Sequence, residues 1–236
     1  MICRKKKINN INKIAILISS DYINYKKKKL YSSENNIVNM TDLLKNYLNY
    51  TNIFFIKNYS KEEIIIFFKW FIKKYIDTNN IIFFYFTGHG CKNGLLTEDY
   101  KILYNYEIKK YFINKLSKNS RLFCLIDACE SENVFNLSYN YYNYRWSKHY
   151  NYVQPYAKVI MLSACKKNQN TNDNIINGKY HSFITYIFID IIKENINISW
   201  KELINKLKLY LIFYNFKQTP MISSSVSFNI NNSINL

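Results

Sequence analysis

Five short apolar runs, KIAILIS (13–19), TNIFFI (51–56), IIFFYF (81–86), RLFCLID (121–127) and KVIMLSA (158–164), punctuate the chain with helical spacing between them. Each is too short for a buried helix and rich in β-branched and aromatic residues, so each predicts a strand buried on both faces. NNIVNMTDLLKNYLNY (35–50) sets Ile37, Met40, Leu43, Leu44, Tyr47 and Leu48 three and four apart, the pattern of an amphipathic helix. Ser60 and Glu63 form a capping box ahead of KEEIIIFFKWFIKKYI. Further helices are predicted around 105–117, over 181–194 and over 200–214, and MISSSVSFNI (221–230) predicts a closing edge strand. Such alternation implies an α/β fold, a mostly parallel sheet of about six strands with helices on both faces. No repeat and no Pro-, Gly- or Ser-rich linker divides residues 1–236, so a single domain is expected. The Tyr/Asn-rich stretch YNYYNYRWSKHYNY (139–152) breaks the alternation and reads as a surface insertion loop.

Open α/β sheets gather their reactive groups just beyond the carboxyl ends of the strands. The third run passes directly into Thr87-Gly88-His89-Gly90, a stretch that with Gly94 holds three of the chain's four glycines. The fourth run ends in Asp127-Ala128-Cys129. On neighbouring strands, His89 and Cys129 would face the same sheet edge. A thiol with a pKa of about 8.5 is a strong nucleophile only as the thiolate. A nearby imidazole takes that proton and returns it to the leaving amine in acyl transfer. The oxyanion that forms needs main-chain N–H donors, for which Gly90 and Cys129 are the candidates. Taken singly, a strand-end cysteine is usually a small buried apolar residue and GHG a chance turn. Paired at equivalent strand ends, they point to a Cys/His dyad.

Net charge, +17, permits binding to nucleic acid or an anionic surface. The lysines are mostly scattered, however, and the runs Lys5–Lys7 and Lys26–Lys29 lack interleaved stacking aromatics, so nucleic acid is not the expected partner. The five cysteines (Cys3, Cys91, Cys124, Cys129, Cys165) are odd in number with no CxxC pair, against both a disulfide framework and a four-cysteine zinc site. Arg4–Lys7 is followed by only a short apolar stretch, IAILI, without a cleavage motif. No apolar segment approaches the ~20 residues of a membrane span. A cytoplasmic monomer without a membrane span is the expectation.

FYFTGHG followed by LIDACES resembles the histidine and cysteine motifs of the caspase-like clan, specifically the YSGHG and DSCHSG of type I metacaspases. VFNLSYNY is similar to that family's VLDLPYxY, KVIMLSACKKNQNTND to VIxxSGCKDDQTSAD, and QTPMISSS to QTPQLSSS; LYSSENNIVNM is a weaker match to LRGCxNDAxNM. The likeness runs from about residue 13 to 230 in family order. It implies a caspase-like fold and a cysteine endopeptidase acting on protein or peptide substrates, with Cys129 as nucleophile and His89 as general acid/base. It also implies cleavage after Arg or Lys, with Asp127 as a substrate-binding carboxylate of the acidic S1 pocket; read from the residues alone, Asp127 is equally a cap on the following turn.

The departures from the family pattern matter as well. Asn36 stands where the family has its second S1 acid, and Ser33 where that motif has cysteine. Glu130 and Glu132 replace His and Gly beside the nucleophile, and carboxylates next to a thiolate disfavour it. Thr87 and Ala128 replace serines. The acids by which many members bind calcium are thinned: the DDE segment reads Asn105-Tyr106-Glu107, and the Asp of VLDL is Asn136, with Asp99 left as one candidate ligand. No cofactor is therefore expected, and calcium activation should be weak or absent. Arg145 and Lys148 in the 139–152 stretch offer self-cleavage points. The alternative reading is a catalytically impaired relative acting as an interaction or regulatory module.

Overall fold

The computed structural model describes residues 12–75, 79–150, 152, 154–171 and 173–236; the Arg4–Lys7 patch, the Lys5–Lys7 run and Cys3 lie outside them. In chain order the elements are β1 (Asn12–Ser19), α1 (Ser33–Asp42), β2 (Asn52–Lys57), α2 (Lys61–Tyr75), β3 (Asn80–Thr87), β4 (Gly90–Cys91), β5 (Gly94–Leu96), β6 (Ile102–Tyr104) and α3 (Asn105–Tyr111). They continue with β7 (Arg121–Asp127), β8 (Tyr139–Tyr142), β9 (Arg145–Lys148), β10 (Lys158–Ser163), β11 (Asp173–Ile176), β12 (Lys179–Ser182), α4 (Phe183–Glu194), α5 (Trp200–Phe213) and β13 (Met221–Ser224).

The five apolar runs form the five parallel strands of the main sheet, in the order β2-β1-β3-β7-β10. Their side chains alternate between two cores, as a period of two demands. Ala15, Leu17, Phe83, Tyr85, Phe123 and Leu125 pack under α1, α4 and α5. Ile14, Ile16, Ile82, Phe84, Cys124 and Ile126 pack under α2 and α3. Helices thus cover both faces of a caspase-like α/β sheet. The Ser60–Glu63 box closes as expected, Ser60 N–H donating to Glu63 Oε2 at 2.8 Å and Glu63 N–H to Ser60 Oγ at 3.3 Å.

The sheet has eight strands rather than about six. The 139–152 stretch carries the hairpin β8–β9, joined at Asn143-Tyr144 with φ of 47° and 62°, the paired positive values of a type I′ turn. Tyr141 and Trp146 pack across it with tilted rings 5.3 Å apart, so a stretch that looks like low complexity carries a cross-strand aromatic pair. The closing strand is shorter than predicted and is not an edge: β13 pairs antiparallel with β10 on one side and β8 on the other. The predicted 35–50 helix passes at Leu43 into a π turn, and the 105–117 helix ends at Tyr111, with a 3₁₀ turn following over Ile113–Lys115. Residues 90–104 add a three-stranded antiparallel sheet, β4-β5-β6, directly after the histidine loop. Among the described residues, no helix is long and apolar enough to cross a membrane.

Phe84 is fully buried on β3, its ring 5.7 Å from Phe112, 6.1 Å from Phe135 and 6.3 Å from Phe68. Truncation there leaves a cavity in a face that cannot collapse, so Phe84→Ala should cost about 3–5 kcal/mol by urea unfolding. A cost under about 1 kcal/mol would mean this layer is not close-packed.

Candidate active site

β3 and β7 are adjacent and parallel, with Thr87 opposite Asp127. Gly88 N–H donates to Asp127 O at 3.2 Å, and both chains run on to place His89 and Cys129 on one cavity of about 250 Å³. A Cβ on Gly90 would stand 2.2 Å from Cys129 O, so this glycine is needed because the two main chains touch. A Cβ on Gly88 would stand 2.8 Å from Tyr22 Oη and 2.9 Å from the Phe86 ring.

Tyr22, which the sequence did not single out, sets the histidine. Its hydroxyl accepts from His89 N–H at 2.7 Å and donates to Leu96 O at 2.8 Å. The Tyr22 and His89 ring centroids are 4.5 Å apart. Tyr22 is fully buried with φ of 54°, and Glu98 holds that turn by accepting from the N–H groups of Tyr22 and Ile23 at 2.8 and 2.9 Å. Burial raises the Tyr22 phenol far above its usual pKa, so it remains a donor. His89 Nε2 lies 2.6 Å from Lys28 O. A carbonyl only accepts, so Nε2 carries a hydrogen, which in the neutral ring leaves the lone pair on Nδ1. The Lys26–Lys28 run thus contributes a main-chain oxygen from its 3₁₀ turn, while its side chains stay exposed.

Cys129 is half-buried, its Sγ 3.7 Å from Thr171 Oγ1, and its N–H meets no acceptor among the described residues. Glu130 adopts φ of 52° and donates its N–H to Gln169 O at 3.0 Å. Glu132 accepts from Lys167 N–H at 2.9 Å, and neither glutamate lines the cavity. Cys165, fully buried, braces the same loop through Ala128 O and Gln169 O at 3.4 and 3.2 Å. Cys91 faces Gly94 O at 3.6 Å, away from the cavity.

Two carboxylates line the cavity, Asp127 and Asp173. Asp127 is 3 % exposed and accepts from Thr185 Oγ1 at 2.5 Å. Burial lifts its carboxyl to about 6; the nearby hydroxyls of Ser182 and Thr185 act the other way, and the Asp173 charge adds to the rise. Asp173 is solvent-exposed, yet the surrounding protein still raises its carboxyl, with Ser32, His89 and His181 opposing. Asn36, aligned with the missing acid, lies behind this wall, donating Nδ2–H to Thr87 Oγ1 at 3.2 Å and accepting from Ser182 N–H at 3.0 Å. A carboxylate there could only accept from the Thr87 hydroxyl, not donate to it.

The residues at the family's calcium positions do not fit a hard dication, which takes six to eight oxygens including several carboxylates. Asn105, Tyr106 and Asn136 line a cavity with Lys109, Lys110 and Lys115, and Lys109 Nζ donates to Asn136 O at 3.3 Å. Glu107 is taken by Lys61 at 2.8 Å and Asp99 by Lys101 at 3.1 Å. Among the described residues, no group of three His, Cys, Asp or Glu side chains could hold a metal.

Residues 12–230 match the Caspase domain family, and the chain belongs to it as a divergent, metacaspase-like member. It is 26 % identical over 233 residues to metacaspase-1 of Plasmodium falciparum, covering 87 % of this chain and 36 % of that one. It is 27 % identical over 172 residues to metacaspase-1 of Plasmodium berghei, covering 64 % and 27 %. The chain therefore spans about a third of the length of these relatives. Caspase-1 of Spodoptera frugiperda superposes with a TM-score of 0.65 at 14 % identity, over 96 % of this chain and 93 % of that one. A protein of Geobacter sulfurreducens gives 0.69 at 14 %, over 94 % and 98 %. At this identity these structures share the fold.

With Asp127 lifted from 3.8 to about 6, folding favours its protonated form. Its contribution is complete below about pH 4 and is lost as pH rises through about 6, on the order of 3 kcal/mol in all. Urea unfolding should therefore show Asp127→Asn gaining on wild type by that order between pH 4 and 8. A difference flat in pH would contradict the burial argument.

Proposed function

We propose that this caspase-domain chain is a cysteine endopeptidase hydrolysing peptide bonds after Arg or Lys, with Cys129 as nucleophile and His89 as general acid/base. One observation carries the reading: an imidazole with Nε2 committed to Lys28 O shares a cavity with a half-buried thiol. The histidine is oriented by a carbonyl, a neutral counterpart of the third member of a catalytic triad.

In the proposed reaction His89 Nδ1 takes the proton from Cys129 Sγ, and the thiolate attacks the peptide carbonyl carbon. The oxyanion is met by the Cys129 N–H and, in this reading, the Gly90 N–H. As the C–N bond breaks, the imidazolium protonates the leaving amine and a thioester remains on Cys129. Water, deprotonated by His89, attacks that carbonyl; the acid leaves and the thiol regains its proton. Free thiols at all four described cysteines suit a cytoplasmic, reducing setting.

The impaired-module alternative draws on Glu130 and Glu132. Glu132 is spent on Lys167 N–H and neither carboxylate enters the cavity, which favours an active enzyme. Fluorogenic peptides bearing Arg, Lys or Asp at P1 test this directly. Turnover should appear with the basic residues and vanish in Cys129→Ala; equal turnover in both proteins would remove the protease reading.

Ammonium groups stand around the positions where relatives carry acids, so calcium is not expected to drive activity. Rates in chelator and in millimolar calcium should match, and strong calcium activation would overturn this expectation.

A further inference from the structure

We propose that the lysine-lined cavity between α3 and the segment following Cys129 binds a small oligophosphate, a molecule carrying two or more phosphate groups. This cavity shares no lining residue with the one that holds His89 and Cys129, so the proposal stands apart from the peptidase reading.

The wall is chemically one-sided. The cavity, about 480 Å³, is lined by three lysines (Lys109, Lys110 and Lys115), three asparagines and two tyrosines (Tyr106 and Tyr152). Every one of these side chains carries an N–H or O–H donor, and none is a carboxylate. Lys110 and Lys115 are exposed and make no ion pair among the described residues. Glu107, the acid on α3, is engaged elsewhere: it accepts from Tyr104 N–H at 3.0 Å and pairs with Lys61 at 2.8 Å.

Surplus lysines are expected on a chain with 33 Lys and Arg against 16 Asp and Glu. What sets these three apart is a shared concavity with no acid in its wall. Lys109 is half-buried there, its Nζ donating to Asn136 O at 3.3 Å, and burial lowers its pKa. Taking an ammonium out of water is unfavourable, and an anion held among the three lysines offsets that cost.

Size and charge select the ligand class. A phosphate group brings nearly two negative charges and three acceptor oxygens in compact form, which suits donors converging from several sides. Lysine meets phosphate as a point charge on a flexible stem, so three of them can follow a short phosphate chain. A cavity of this volume takes a whole small molecule, and a single phosphate would fill only part of it. Asn136 stands on the segment that leaves Cys129, so a bound oligophosphate would clamp that segment to α3 and raise thermal stability.

The test is calorimetric titration of the full chain with inorganic triphosphate, inorganic phosphate and a short single-stranded DNA, without divalent cations. One triphosphate should bind per chain, more tightly than phosphate, and should raise Tm. Lys110→Gln/Lys115→Gln alters two exposed positions, and circular dichroism should show its fold intact. It should weaken triphosphate binding roughly 10- to 100-fold, the size of a lost charge-assisted hydrogen bond. Lys45→Gln/Lys201→Gln removes the same charge from exposed positions elsewhere and should change the affinity by less than about threefold. Equal losses in the two double variants, or no binding of triphosphate, would overturn the site. Phosphate bound as tightly as triphosphate would overturn the oligophosphate assignment. DNA bound more tightly than triphosphate, with the same dependence on Lys110 and Lys115, would also overturn it, making the ligand a nucleic acid.

Discussion

The pairing of β3 with β7 is the constraint on which the cleft depends. Thr87 opposite Asp127 puts His89 and Cys129 the same distance past the end of the sheet, and the contact of Gly90 with Cys129 O brings the two loops to main-chain distance. A slip of one residue would turn every side chain of β3 to the opposite core. The two hydrophobic layers therefore enforce the geometry of the cleft from below, through Phe83 and Tyr85 on one face and Phe84 and Phe86 on the other.

Above the sheet, the histidine is held by groups that do not titrate near neutrality. Lys28 O fixes one ring nitrogen, and Tyr22 links the His89 amide to Leu96 O. The charged groups of the cavity are Asp127 and Asp173, of which Asp173 interacts electrostatically with His89. The imidazole's tautomer is set by a carbonyl, so it holds without a buried anion beside the ring.

The parallel strands and two-sided layering were legible because buried strands write themselves as β-branched and aromatic runs. The hairpins were not, for different reasons. Tyr/Asn alternation at 139–148 looks like low complexity until Tyr141 and Trp146 are seen to pair. Asn177-Gly178, with φ of 51° and 75°, is a strong type I′ signal that lay inside what reads as a loop before a helix. That turn folds β11 onto β12 and delivers Asp173 and Ser182 to the cleft. Tyr22 was illegible for another reason: nothing in SDYINY indicates that one ring reaches a histidine 67 residues away. Asn36 reads as a lost acid, whereas in three dimensions both ends of its amide are used.

The hairpin β8–β9 has a mechanical consequence. Arg145 and Lys148 lie on β9, the last strand of the sheet, bonded along one side only. A protease cleft takes its substrate as extended single chain, so neither bond is presented while β9 stays zipped to β8. Releasing β9 breaks one short ladder, while β8 keeps its pairing with β13. Fraying of this kind lies at the low end of local opening energies. For any protease that would cut at Arg145 or Lys148, the fraction of time this one four-residue strand spends released scales the rate of cutting.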